Sequence, residues 1–308
     1  MTYHILHNPL AGGTALQASA KFSPSTTTQT VPYTVTEHDI TSVSEDYAAF
    51  FAALAEDDVV VLHGGDGTLN RFINDTDGMD IPCDILYAPG GTGNDFLRDL
   101  EKPADTEPFS LLPYVKDLPY VEVKGKRYRF LNNVGFGIDG YCCEVGDAQK
   151  KAYPDKAVNY TAVAIKGLLL HYKPTDATVL VDGKEYTYKK AWLAPTMKGR
   201  YYGGGMNAAP AQNRLDPDGK LSVMLFYGKG RLSTLMAFPS IFEGKHVEKT
   251  AMVAIHEGHD IRVRFDAPRA VQIDGETITG VTEYHAYSAP RSPSVGEETP
   301  SAETLLQV

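Results

Sequence analysis

Residues 59–74 read VVVLHGGDGTLNRFIN. An apolar run of the kind found in buried strands meets Gly64, Gly65, Asp66 and Gly67 and then turns into a helical pattern. A strand that ends in glycines and opens a helix presents backbone N–H groups without intrahelical partners and the positive end of the helix dipole, which together suit an anion. Phosphate is the natural occupant. The loop is not a Walker A sequence, because no Lys-Ser/Thr pair follows, and its glycines lack the dinucleotide spacing. Asp66 adds a condition. A carboxylate beside a phosphate needs a nearby cation such as Mg2+, or hydrogen bonds from a ribose or the backbone. For this loop alone, a tight turn without a ligand is the plain alternative.

A second glycine loop, PGGTGNDF at 89–96, follows another strand-like run, CDILYAP at 83–89. In open parallel sheets the ligand crevice lies outside the carboxyl ends of the strands, so two such loops point at one pocket. The surrounding residues alternate in type. YHILHN (3–8) and VPYTVT (31–36) read as strands, and SVSEDYAAFFAALAEDD (42–58) reads as a helix, with Tyr47, Phe50, Phe51 and Leu54 on one face. Ser42 and Glu45 have the spacing of a capping box. This pattern predicts an α/β domain with a parallel sheet over residues 1–120.

From about residue 119 the texture becomes β-rich: YVEVKG, RYRFLNNV, ATVLVDGKEYTY, KLSVMLFY and DIRVRFD, with Asp-Gly turn signals in VDGK (181–184) and IDGE (273–276). An antiparallel β-sandwich or barrel over residues 121–280 is predicted, interrupted by helical stretches at KAVNYTAVAIKGLLLHY and LSTLMAFPSIF. VTEYHAYSAP (281–290) is expected to return to the first domain. The polar, aperiodic residues 291–308 are expected to be disordered.

The length of 308 residues suits two domains. Three cysteines, Cys83, Cys142 and Cys143, match neither a metal site nor a disulfide framework and suit a reducing cytoplasm. The N-terminus lacks the features of a secretory signal, and no apolar run approaches the ~20 residues of a spanning helix. Membrane contact is therefore expected to be peripheral. A formal net charge of −10 argues against nucleic acid as a partner. Locally, residues 146–173 hold Lys150, Lys151, Lys156, Lys166 and Lys173 against Asp147 and Asp155, either a solvated helix face or a surface for anionic lipid. GFGIDG (135–140) matches G-x-G-x-x-G literally but sits in the β-rich half without a clear strand–helix–strand unit. His256 and His259 of HEGH lack the spacing of a helical zinc site and read as sheet or surface histidines.

NPLAG (8–12), GGDGTLN (64–70), PGGTGNDF, GGGM with Pro210 and Ala211, LDPDGKL (215–221), EGKHV (243–247) and IDGE together resemble the diacylglycerol kinase catalytic family, over about residues 3–290. GGDGT alone is shared with NAD kinases and phosphofructokinases. The resemblance implies a two-domain lipid kinase using ATP and Mg2+, with an NAD kinase/phosphofructokinase-like α/β domain, a β-sandwich domain and an active site between them. By that likeness Gly64, Gly65, Asp66, Gly67, Thr68, Leu69 and Asn70 hold the ATP phosphates. Thr92 and Asn94 meet the nucleotide, and Asn8 and Thr36 border its pocket. Glu276 is the base, with Asp66 and Asp274 in the catalytic set. A structural Mg2+ is implied on Asp218 with the carbonyls of Leu215 and Lys220, Asp216 being a competing ligand. The likeness also implies a cytoplasmic protein at the membrane surface; a homodimer is left open. One departure stands out: family members often carry an acidic residue after the Asn of the first loop, where this chain has Arg71. The rival readings are an NAD kinase-like enzyme acting on a soluble nucleotide and a catalytically silent lipid or nucleotide sensor.

Overall fold

A computed structural model describes residues 1–9, 33–91, 93–153, 156 and 158–289. Thr92, most of NPLAG, Asp155 and the 291–308 tail lie outside the described residues.

The first half builds a five-stranded sheet from β1 (Thr2–His7), β2 (Thr34–Asp39), β3 (Val59–Gly64), β4 (Asp84–Pro89) and β5 (Phe109–Ser110), in the order β2-β1-β3-β4-β5. The first four strands are parallel and the short β5 is antiparallel to β4. Both glycine loops therefore leave neighbouring strands at the same edge. The helix expected over 42–58 is two short ones, Ile40–Val43 and Tyr47–Ala52. The Ser42/Glu45 box does not form, because Asp39 and Asp46 cap the two pieces instead. Tyr47 and Phe51 still enter the core with Leu62, Leu69, Phe72 and Phe96.

The second half builds a ten-stranded antiparallel sheet and a small separate one of β12 (Tyr201–Tyr202) and β13 (Met206–Asn207). The path of the large sheet runs through β15 (Val253–Gly258), β14 (Leu221–Phe226), β11 (Leu193–Met197), β8 (Asn133–Gly137), β16 (Asp260–Ile273), β17 (Glu276–Tyr287), β6 (Tyr120–Val123) and β7 (Lys126–Arg129), while β9 (Thr175–Val181) and β10 (Lys184–Ala191) branch from β16. Register shifts in β16 between Arg264 and Val271 let its first part pair with β9 and its last residues with β8. The two wings so formed share a core of Val134, Phe136, Val179, Val263, Phe265 and Tyr284. Residues 281–287, expected to return to the first domain, instead continue β17 and pair with β16 and β6.

GFGIDG does open a helix, Ile138–Ala152, which the sequence reading missed. Its glycines serve packing. A Cβ on Gly140 would lie 2.2 Å from the Ala270 carbonyl oxygen, and one on Gly137 2.4 Å from Leu193. A further helix, Tyr160–Lys166, runs into a π turn, Gly167–His171, and the helix Arg231–Ala237 packs beside that turn. His256 stacks on Tyr186 and contacts the Tyr188 hydroxyl, in keeping with a sheet histidine.

Candidate active site

The helix Asp66–Asp75 starts directly after β3 with Gly65 as its cap and no capping side chain. Its first amides are thus free of local competition for an anion. Leu69 is buried, and its N–H already bonds the Gly65 carbonyl, so its contribution is to the core.

The glycines answer two different needs. Gly64 and Gly65 let the two loops touch: the Gly90 N–H donates to the Gly64 carbonyl at 2.8 Å, and a Cβ on Gly65 would lie 3.0 Å from the Gly90 carbonyl oxygen. A Cβ on Gly64 would collide with Thr68. At Gly67, by contrast, a Cβ would meet nothing within 4 Å. Gly67 is exposed and is the glycine of this loop that faces open space.

Asp66 resolves the alternatives left by the sequence. Its carboxylate accepts the N–H groups of Asp95 at 2.7 Å and Phe96 at 3.1 Å, and so caps the short helix Asp95–Asp99 of the second loop. It ties the two loops together through the backbone. Burial raises its pKa, and those two hydrogen bonds oppose the rise. Asn94 adopts a left-handed backbone (φ 40°) and donates to the Gly91 carbonyl, which fixes the second loop. Asn8 reaches Thr68 Oγ1 at 3.3 Å, bringing the loop after β1 to the same helix. Thr36 stands exposed in the edge strand β2, opposite His4, and among the described residues no hydrogen bond joins it to the loops.

The second domain meets this edge through a polar seam that sequence reasoning missed. Buried Asp95 accepts the Gly204 N–H at 2.7 Å, across the GGGM turn, and burial pushes its carboxyl up to about 6. Buried Asp99 accepts Arg214 Nε at 2.7 Å and Arg200 Nε at 2.9 Å. Arg214 also donates to the Leu131 carbonyl and the Asn132 side chain, so all three of its nitrogens are used. Asp95 was visible in PGGTGNDF, but Asp99, Arg200 and Arg214 carry no local signal.

The IDGE turn closes the site. Asp274 has φ 47° and Gly275 φ 95°, the left-handed pair of a two-residue hairpin. The Asp274 carboxylate is enclosed even though the turn reaches the surface. It accepts the N–H groups of Leu131, Asn132 and Asn133 and the Asn70 side-chain amide at 2.8 Å. Burial raises its pKa, against the pull of these donors. One residue further along the helix, Arg71 holds Glu276: Nε and Nη2 donate to Oε1 at 3.2 and 3.1 Å. The side chains are 65% and 51% exposed, so Glu276 stays open to a reactant. The residue that departs from the family pattern thus contacts the expected base.

At the turn 215–220 the Asp216 side chain accepts the Asp218 N–H, which leaves the exposed Asp218 carboxylate beside Lys220 Nζ at 3.6 Å. Gln212 donates to the Lys220 carbonyl at 2.9 Å. Among the described residues no three His, Cys, Asp or Glu side chains converge as a metal cage. One carboxylate with carbonyls is a donor set that fits Mg2+, which keeps several of its waters. On the opposite face of the Asp66–Asp75 helix, Phe72, Ile73, Ile81, Leu111 and Val115 line an apolar cavity of about 680 Å3.

Comparison with known proteins matches residues 2–114 to the diacylglycerol kinase catalytic domain and residues 132–293 to the YegS C-terminal NAD kinase beta sandwich-like domain. A diacylglycerol kinase of Mycobacterium tuberculosis (strain ATCC 25618 / H37Rv) is 31% identical over 197 residues, 62% of each chain's length. The match therefore spans less than two thirds of that relative. A crystal structure of a diacylglycerol kinase from Bacillus anthracis str. Sterne superposes with a TM-score of 0.60 at 17% identity, covering 94% of this chain and 93% of that one. The crystal structure of a putative diacylglycerol kinase from the same organism gives 0.65 at 19% identity, covering 93% of each. These superpositions establish the fold, and the match over residues 132–293, more than half of the chain, establishes that it belongs to the family of the YegS C-terminal NAD kinase beta sandwich-like domain, preceded here by the match to the diacylglycerol kinase catalytic domain.

Proposed function

We propose that this chain transfers the γ-phosphoryl group of ATP to a hydroxyl of a membrane lipid of the diacylglycerol class, with Glu276 as general base. One observation carries the reading. A single helix offers uncapped amides at its start and, at Arg71, grips the carboxylate of Glu276. The separation along the helix is about five residues, or ~7–8 Å of rise. That is the scale of a triphosphate laid along the helix end.

The chemistry divides among the chain's own residues. Amides at Asp66, Gly67 and Thr68 take phosphate oxygens, while Asp66 holds the second loop against the first and Asn94 fixes the turn of that second loop. The acceptor hydroxyl loses its proton to Glu276 as it attacks in line with the leaving oxygen, a contribution of about 10²–10⁴-fold. Asp274 acts at one remove. It fixes the turn that aims Glu276, and Asn70 couples that turn to the phosphate-binding helix. Magnesium, when bound with the triphosphate, neutralises charge that develops on the phosphoryl oxygens. At the 215–220 turn, Asp218 with the Leu215 and Lys220 carbonyls would hold a second, structural ion. No described helix is long and apolar enough to cross a membrane. In this reading the enzyme meets its lipid from the surface.

The test is a panel of acceptors offered with ATP and Mg2+: diacylglycerol micelles, phosphatidylglycerol, a sphingoid base, an isoprenoid alcohol and NAD, with products identified by mass. A phosphorylated lipid is expected. Phosphorylation of NAD alone would make the chain a soluble-nucleotide kinase, and binding without turnover would make it a sensor.

A further inference from the structure

The helix Tyr160–Lys166, its continuation Gly167–His171 and the helix Arg231–Ala237 form one exposed shelf, locked by the bond from Arg231 Nη1 to the Leu168 carbonyl at 2.8 Å. Their inner faces place Val163, Leu168 and Ala237 in the core around Trp192. Their outer faces are apolar too. Leu170 is 68% exposed, Leu232 65% and Met236 69%, with Ile165, Leu169 and Phe242 exposed beside them in sequence. A surface helix ordinarily turns polar residues outward, and a cluster of large apolar side chains on adjoining elements marks an interaction surface.

Charge identifies the occupant. Lys166 and Lys173 flank the shelf in sequence, and Lys150 approaches the Tyr160 ring at 5.9 Å, admitted because Gly146 leaves room for that ring. This basic group belongs to a chain of formal net charge −10. Apolar side chains rimmed by lysines match an anionic bilayer, where each lysine near the surface adds about 1 kcal/mol and the apolar groups enter the headgroup boundary. Position agrees as well. Thr277, next to Glu276, donates to Asp147 at 2.8 Å, and Asp147 precedes Lys150 and Lys151 by about one helical turn.

We infer that this shelf is the membrane-docking face, inserting Leu170, Leu232 and Met236 into an anionic leaflet so that the acceptor hydroxyl is presented near Glu276. The inference rests on the lipid-kinase reading, but its test does not require catalysis. Without ATP, the chain is sedimented with vesicles of phosphatidylcholine containing phosphatidylglycerol. Wild type is expected to bind. The double variant Leu170→Glu/Met236→Glu, both sites being on the surface, should keep its melting temperature and bind about tenfold or more weakly. Lys166→Glu/Lys173→Glu should weaken binding less and make it less salt-sensitive. Phosphorylation of a water-soluble short-chain diacylglycerol should be unchanged in all of them. Equal vesicle binding by wild type and the Leu170/Met236 variant would overturn the inference, as would a wild type that ignores vesicles. A dimer broken by that variant, with vesicle binding intact, would overturn it too and make the shelf a contact between copies. A chain that docks through this face yet phosphorylates nothing would keep the docking face and sink the kinase reading.

Discussion

Two hairpins in this molecule share one turn and differ in everything around it. VDGK and IDGE both place Asp and Gly in the left-handed region, Asp182 and Asp274 each at φ 47°. At VDGK, Asp182 accepts the N–H groups of His259 and Asp260 at an exposed end of the sandwich, and the next side chain, Lys184, lies over the Tyr186 ring. At IDGE, Asp274 is enclosed by three backbone amides and Asn70 from the other domain, and the fourth residue, Glu276, meets Arg71. The same local sequence is a plain turn in one place and the hinge pin of a site in the other. What separates them is the partner supplied from about 200 residues away in the chain.

The largest effect should come from exchanging the fourth residues. Glu276→Lys is expected to lower lipid phosphorylation by about 10²–10⁴-fold, and Lys184→Glu to leave it unchanged. Equal losses would erase the functional contrast. Next come the aspartates. Asp274→Ala leaves four enclosed donors without an acceptor and should cost about 3–5 kcal/mol in a denaturant titration, against about 1 kcal/mol for Asp182→Ala.

The seam should also respond to pH. Asp95 is pushed up to about 6, whereas an unfolded carboxyl titrates near 4. Between these values the native state holds a proton that the unfolded state has released. This term therefore lowers stability as pH rises through the window, by about 3 kcal/mol. Asp95→Asn should remove that slope, read as the difference between variant and wild-type stability at pH 4 and pH 7. The smallest effect belongs to Arg71→Ala. An exposed ion pair contributes at most about 1 kcal/mol, so stability should hardly move, while loss of the grip on Glu276 should lower kcat several-fold.

How much of this was legible follows from the distance between partners. The strands, both glycine loops and the hairpin turns were readable because alternation, strand-to-helix glycines and Asp-Gly pairs are local signals. The split of the 42–58 helix was missed because Asp39 and Asp46 compete as caps within a few residues of each other. The helix after GFGIDG was missed because Cys142, Cys143 and Gly146 weaken a pattern that tertiary packing restores. Beyond Asp95, which lies in the second glycine loop, the seam was not legible. Arg214 and Asp99 lie 115 residues apart, and nothing local marks an arginine that will be buried. Nor could the sequence tell that Asp66 spends both oxygens on the neighbouring loop. Glu276 was singled out by family resemblance, since IDGE and VDGK read alike.

The most direct test compares wild type and Glu276→Gln in the same diacylglycerol micelles with γ-labelled ATP, counting label in the extracted lipid. Label is expected in lipid with wild type, with a loss of at least about a hundredfold in the variant, ATP binding and melting temperature being retained. Label transfer at the wild-type rate by Glu276→Gln would contradict Glu276 as the base.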